Sequence, residues 1–72
     1  MTDIPDIIVN GTARPLGSAT TLAQLLEALG VKAAKMAVER NGEIVHPTAF
    51  ASTPVAANDR IEIIQFVGGD GG

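Results

Sequence analysis

The chain has 72 residues, of which 46% are hydrophobic and 18% charged, with no cysteine and a formal net charge of −3. A chain this short buries only about 60% of the surface its unfolded form exposes, which leaves room for one core and no second domain. The lack of cysteine excludes disulfides, a thiolate metal site and an internal thiol nucleophile, and the scattered acids with no basic stripe disfavour nucleic-acid binding.

Met1 to Asp6 holds neither a basic segment nor a long apolar stretch. A secretory signal and a membrane span are therefore not expected, and the cytoplasm is the expected compartment. Ile7, Ile8 and Val9 form a β-branched run that ends at Asn10-Gly11, the pair best suited to the positive φ angles of a tight hairpin turn. The return strand, Thr12 to Leu16, contains Pro15. Proline cannot donate to a ladder, so this strand belongs at a sheet edge.

Thr21 and Gln24 have the spacing of a capping box, in which the threonine accepts from a free helical N–H and the glutamine reaches back to the N-cap. Leu22, Leu25, Leu26 and Leu29 then recur on one helical face, with Gln24 and Glu27 pointing away. Gly30 is placed to end the helix in the left-handed conformation, and Val31 to fold back toward Leu26. Lys32 and Lys35 follow as a small basic cluster, read first as a solvated face.

Met36 to Arg40 places Met36 and Val38 on one side and Ala37 and Glu39 on the other. Asn41-Gly42 repeats the hairpin signal before Glu43, Ile44 and Val45. Residues 46–59 have a loop composition, with Phe50 and Val55 as apolar plugs over one end of the core. Arg60 to Val67 is the longest and most apolar strand and is expected at the centre of the sheet. The domain is thus read as residues 1–67, with the glycine-rich residues 68–72 as a mobile tail. Strand, strand, helix, strand, strand, strand is the order of an α+β β-grasp fold, in which one helix lies across a mixed sheet of about five strands.

Few residues offer chemistry. His46 has no cysteine partner and stands beside Pro47 at a strand end, which reads as a surface histidine. Glu39 and Glu43 flank the second turn about a hairpin's width apart and read as solvated turn residues, not an acid–base pair.

The last strand says more. If Ile61 and Ile63 face the core, alternation sends Arg60, Glu62, Ile64 and Phe66 to the opposite face. Two large apolar groups next to the tail favour a protein-binding patch. The tail reads Gly68-Gly69-Asp70-Gly71-Gly72. Without Cβ atoms such a chain threads a narrow channel and takes φ values closed to other residues. Its five residues reach at most about 17 Å, enough to carry a carboxylate into a partner's active site.

Three segments, Thr21 to Gly30, Ala37 to Val45 and Asp59 to Gly69, together resemble the sulfur-carrier family of thiamine thiazole biosynthesis, the ThiS family, along nearly the whole chain. The resemblance implies the ubiquitin-like β-grasp fold and a carrier that is not itself an enzyme. An E1-like adenylating enzyme would use ATP to activate the terminal carboxylate, and sulfur from a cysteine desulfurase relay would convert it to a thiocarboxylate. Thiazole synthase would then take the sulfur. No cofactor, metal, nucleic acid or membrane is implied for the carrier itself. Carried onto this chain, the acceptor is Gly72, and the partner-binding residues are Gly71, Gly69, Gly68, Val67, Phe66 and Ile64.

The sequence departs from the family in two places. Asp70-Gly71-Gly72 follows Gly68-Gly69, whereas family tails resemble Phe-Val-Gly-Gly with at most one further glycine. Gly69 is therefore the alternative acceptor. Asn58 stands where the family often has glycine. The molybdopterin-synthase small subunit, a ubiquitin-like protein modifier and a β-grasp interaction domain with an inert tail are the competing readings.

Overall fold

The computed structural model describes residues 6–31 and 36–65. Five strands and one α-helix make up the framework: β1 (Asp6–Val9), β2 (Thr12–Pro15), α1 (Leu22–Ala28), β3 (Met36–Arg40), β4 (Glu43–Val45) and β5 (Arg60–Gln65). The strand order is β2-β1-β5-β3-β4. β5 runs parallel to β1 and antiparallel to β3, and both hairpins are antiparallel. The predicted α+β β-grasp arrangement is the one found, with the apolar last strand at the centre and the proline-bearing return strand at an edge.

Both hairpins turn where Asn-Gly predicts. Asn10 and Gly11 have φ of 50° and 81°, and Asn41 and Gly42 have 52° and 88°. Two consecutive left-handed residues match the twist of the flanking strands, which is why each loop is two residues long. Short turns also fix register. Val9 lies opposite Thr12 and Arg40 opposite Glu43, so every side chain's face follows from the turn.

The inward face carries Ile7 and Val9 of β1, Met36 and Val38 of β3, and Ile61 of β5, all buried, with Ile63 partly so. Leu22, Leu25 and Leu26 of α1 close over them, and Leu29 packs at the margin. A helix of seven residues is too short to persist alone in water, so it is this leucine face that holds α1 in place. Its C-terminal end is a Schellman motif. Val31 N–H donates to Leu26 C=O at 3.0 Å and Gly30 N–H to Glu27 C=O at 3.0 Å, with Gly30 at φ 75°.

At the other end of α1 the predicted capping box forms only in part. Thr21 Oγ1 accepts from Gln24 N–H at 3.2 Å, but Gln24 Oε1 accepts from the N–H and hydroxyl of Thr20, at 2.8 and 3.0 Å. Thr21 is drawn out into a bridge with Pro54, flanked by Leu22 N–H donating to Thr53 C=O and Val55 N–H to Thr20 C=O. The chain therefore enters the helix extended, and the glutamine bonds one residue further out than the motif specifies.

Two boundaries differ from expectation. β2 stops at Pro15, with Leu16 turned to pack partly against the core. The described part of the last strand is Arg60–Gln65, and Phe66 and Val67 lie outside the described residues. The segment read as loop contains a 3₁₀ helix, Pro47–Ser52, with proline at its first position, where a missing N–H costs nothing. That turn sets Phe50 into the core beside Val55, as predicted plugs. Asn58 has φ of 71°, a left-handed conformation that asparagine tolerates in place of glycine. No helix among the described residues is long and apolar enough to cross a membrane.

Candidate functional site

The sheet's outer face and the C-terminal end of β5 hold the candidate site. Along β5, Ile61 is fully buried and Ile63 half-buried, while Arg60, Glu62 and Ile64 are exposed. Ile64 is 49% exposed and lies opposite Ala37. The small alanine leaves its flank open.

A second exposed aliphatic, unmarked in the sequence reading, shares this face. Ile44 is 71% exposed and sits opposite Glu39, which in turn sits opposite Glu62. Ile44 and Ile64 are two strands apart and two residues out of line, roughly 12 Å from the usual strand spacing and rise. The outer face is thus apolar at two points, with Glu39 and Glu62 between them. Ile44 was findable from sequence, because a two-residue turn pairs it with Glu39 and so gives both the same face.

Gly72, Gly71, Gly69, Gly68, Val67 and Phe66 lie outside the described residues, as do Lys32 and Lys35. Of the residues predicted for the site, Ile64 is the one the structure positions.

Two side-chain clusters hold β5 in place, one at each end. At its start, Asp59 Oδ2 accepts from Ala56 N–H at 2.9 Å and Arg40 Nε at 3.3 Å, and Oδ1 accepts from Asn41 Nδ2 at 3.2 Å. Asn41 Oδ1 accepts from Arg60 N–H at 2.9 Å. Partial burial pushes the Asp59 carboxyl upward. The hydrogen bonds from Asn41 and Ala56, with the charge and Nε–H of Arg40, outweigh that push and hold its pKa below the ordinary 3.8. Toward the other end, Asn10 Oδ1 accepts from Ile63 N–H at 2.8 Å and Asn10 Nδ2 donates to Ile63 C=O at 3.3 Å. The sequence marked both asparagines as turn residues only.

His46 is exposed and precedes the 3₁₀ helix, where its carbonyl accepts from Ala49 N–H. Among the described residues no group of three or more histidine, cysteine or acidic side chains is placed to hold a metal. Glu39 and Glu43 are not brought together. Glu39 shares the outer face with Ile44, whereas Glu43 lies opposite Arg40, a residue of the inward set. Alternation puts the two carboxylates on opposite sides of the sheet.

A five-stranded mixed sheet of this order, gripping one helix, defines a ubiquitin-like β-grasp protein. The comparisons narrow the class. The sequence model of the ThiS family matches residues 7–69. The crystal structure of a thiamine biosynthesis protein (ThiS) from Geobacter metallireducens superimposes with a TM-score of 0.76 at 35% identity, covering 90% of this chain and 99% of that one. A solution NMR structure of a thiamine biosynthesis protein from the same organism gives a TM-score of 0.73 at 35% identity, with 92% and 88% covered.

Two curated relatives are thiazole synthases. That of Paramagnetospirillum magneticum is 41% identical over 63 residues, and that of Magnetococcus marinus 36% identical over 63 residues. Each alignment covers 88% of this chain but 19% of the relative, so the chain spans about a fifth of their length. This chain belongs to the ThiS family.

Proposed function

We propose that this chain is a sulfur carrier of thiamine biosynthesis whose working group is a glycine carboxylate in the segment 68–72. The observation that carries the reading is the family match, which runs from Ile7 through the glycine pair Gly68-Gly69. Gly72 is the proposed acceptor, with Gly71, Gly69, Gly68, Val67, Phe66 and Ile64 contacting the partner.

A free carboxylate is a poor electrophile. An E1-like enzyme transfers AMP from ATP to it, releasing pyrophosphate and leaving an acyl-adenylate. The terminal sulfur of a persulfide, supplied by a cysteine desulfurase relay, attacks the acyl carbon, and AMP departs with the C–O bond electrons. A second thiol reduces the resulting acyl disulfide and frees the thiocarboxylate. Thiolates are the nucleophilic form of sulfur, and the ionised thiocarboxylate acts in the same way. The carrier is a substrate throughout and binds no cofactor itself. The use of ATP and a persulfide donor suits the cytoplasm.

Thiazole synthase is the proposed consumer of the sulfur. In the two bacterial relatives, a stretch similar to this chain is part of a protein named thiazole synthase, which favours that partner over a molybdopterin-synthase large subunit. The decisive experiment incubates the chain with adenylating enzyme, ATP and a sulfur donor and measures intact and peptide masses. One oxygen replaced by sulfur at Gly72 is the expected result. The same change at Gly69, after loss of the last three residues, would move the acceptor. An unchanged terminal peptide, under conditions where the enzyme loads another carrier, would reject the reading.

A further inference from the structure

We infer that Asn10 is a positioning residue for activation of the terminal carboxylate: its carboxamide, bonded to both backbone groups of Ile63, fixes the C-terminal part of β5, which precedes the proposed working segment. The inference rests on the carrier reading above.

β1 and β5 are parallel neighbours of unequal reach. β1 ends at Val9 and the chain turns away at Asn10-Gly11, whereas β5 runs on to Gln65. The last main-chain bond between them is Asn10 N–H to Ile61 C=O at 2.9 Å. Successive residues of a strand present their backbone groups to alternate edges, so Ile63 is the next to face β1. There the main chain of β1 has already left.

The side chain of Asn10 takes its place, accepting from Ile63 N–H at 2.8 Å and donating to Ile63 C=O at 3.3 Å across 53 residues of sequence. A carboxamide suits this position because it offers an acceptor and a donor in one plane, as a peptide group does. Asn10 thus extends the β1 edge by one step, to Ile63, with Ile64 to Val67 between it and the proposed working segment. At the opposite end of β5, Asn41 performs a similar service for Arg60. It lies away from the exit.

The turn alone does not require the carboxamide. At φ of 50° glycine serves the hairpin at least as well, so Asn10→Gly removes the clasp and keeps the bend. If Asn10 only shapes a turn, that variant behaves as wild type. If it positions the exit, the competent orientation is less populated and the partner's apparent affinity falls in proportion.

The test uses ATP–pyrophosphate exchange by the E1-like enzyme, with the whole chain as substrate, and amide hydrogen exchange at Ile63. For Asn10→Gly, Ile63 is expected to exchange about tenfold faster, and the carrier's KM to rise about three- to tenfold with kcat within about twofold, as loss of two exposed hydrogen bonds predicts. Asn10→Asp keeps the acceptor for Ile63 N–H but offers Ile63 C=O no donor, and should fall between. Asn41→Gly should lower stability and leave KM unchanged. An unaltered KM or unaltered Ile63 exchange in Asn10→Gly overturns the inference, and so does an equal KM rise in Asn41→Gly. If wild type is activated and Asn10→Gly matches it, only this inference fails. If wild type is never activated, the carrier reading fails and this falls with it.

Discussion

Replacing Asp59 by asparagine is the sharpest test of what anchors the central strand. The carboxylate accepts from Ala56 N–H and Arg40 Nε on one oxygen and from Asn41 Nδ2 on the other. An amide must turn an NH2 toward one side. With its oxygen facing Asn41 it sets donor against donor at Ala56 and Arg40, and flipped it does so at Asn41. Asn41 cannot flip in compensation, because its Oδ1 is held by Arg60 N–H.

One or two hydrogen bonds are lost in either case, about 1–2 kcal/mol at the usual net value. The Arg40 pair, 3.3 Å long with the arginine side chain 32% exposed, is screened by solvent and adds at most about 0.5 kcal/mol. A domain of this size has roughly 4–10 kcal/mol in all, so the midpoint of thermal unfolding should drop by about 5–15 °C. Urea and thermal unfolding of both proteins across a pH series measure this.

The pH dependence supplies a second check. The folded-state pKa of Asp59 is lowered, so its stabilisation is fully present above the ordinary 3.8 and is lost as pH falls through the lower folded value. The gap between wild type and Asp59→Asn should therefore narrow only in that acidic window. A gap under about 0.5 kcal/mol at neutral pH, the size of an ordinary surface change, would refute the account. A gap that does not narrow in acid would refute it equally.

Three further outcomes are expected. Gly30→Ala should cost about 1–2 kcal/mol by unfolding titration, the strain of a Cβ at left-handed φ, because no heavy atom of the described residues stands within 4 Å of the added carbon. Leu25→Ala, at a side chain 1% exposed, should cost about 3–5 kcal/mol and leave circular dichroism showing a marginal or unfolded chain. Ile64→Asp and Ile44→Lys should unfold within about 0.5 kcal/mol of wild type, as exposed positions do. Titration calorimetry against the adenylating enzyme should nevertheless show weaker binding, and collapse of either variant would mean that the outer face is covered in solution.

The candidate site was legible where it depends on one strand. Alternation from Ile61 places Ile64 outward, and the structure has it exposed. The exposure of Ile44 follows from the second turn's length, though it needs the hairpin register to be drawn. The clasp at Ile63 was not legible, because Asn10 looks complete as a turn residue and nothing nearby in the chain names a partner 53 residues away. Gln24 misled for a related reason. Its box with Thr21 is a local motif, but the bridge from Thr21 to Pro54 decides which N–H it meets.

By itself the sequence determined both Asn-Gly turns, the leucine face of α1, its stop at Gly30 and the alternation along β3 and β5. These depend on backbone sterics and side-chain periodicity within a few residues, and those forces act before any distant segment arrives. Only the tertiary structure decided which strands flank β5, that Phe50 enters the core on a 3₁₀ turn, and that two turn asparagines reach across to hold the central strand. Those outcomes need segments far apart in the chain to meet, and an unpaired backbone group selects its partner from whatever the completed fold brings within about 3 Å.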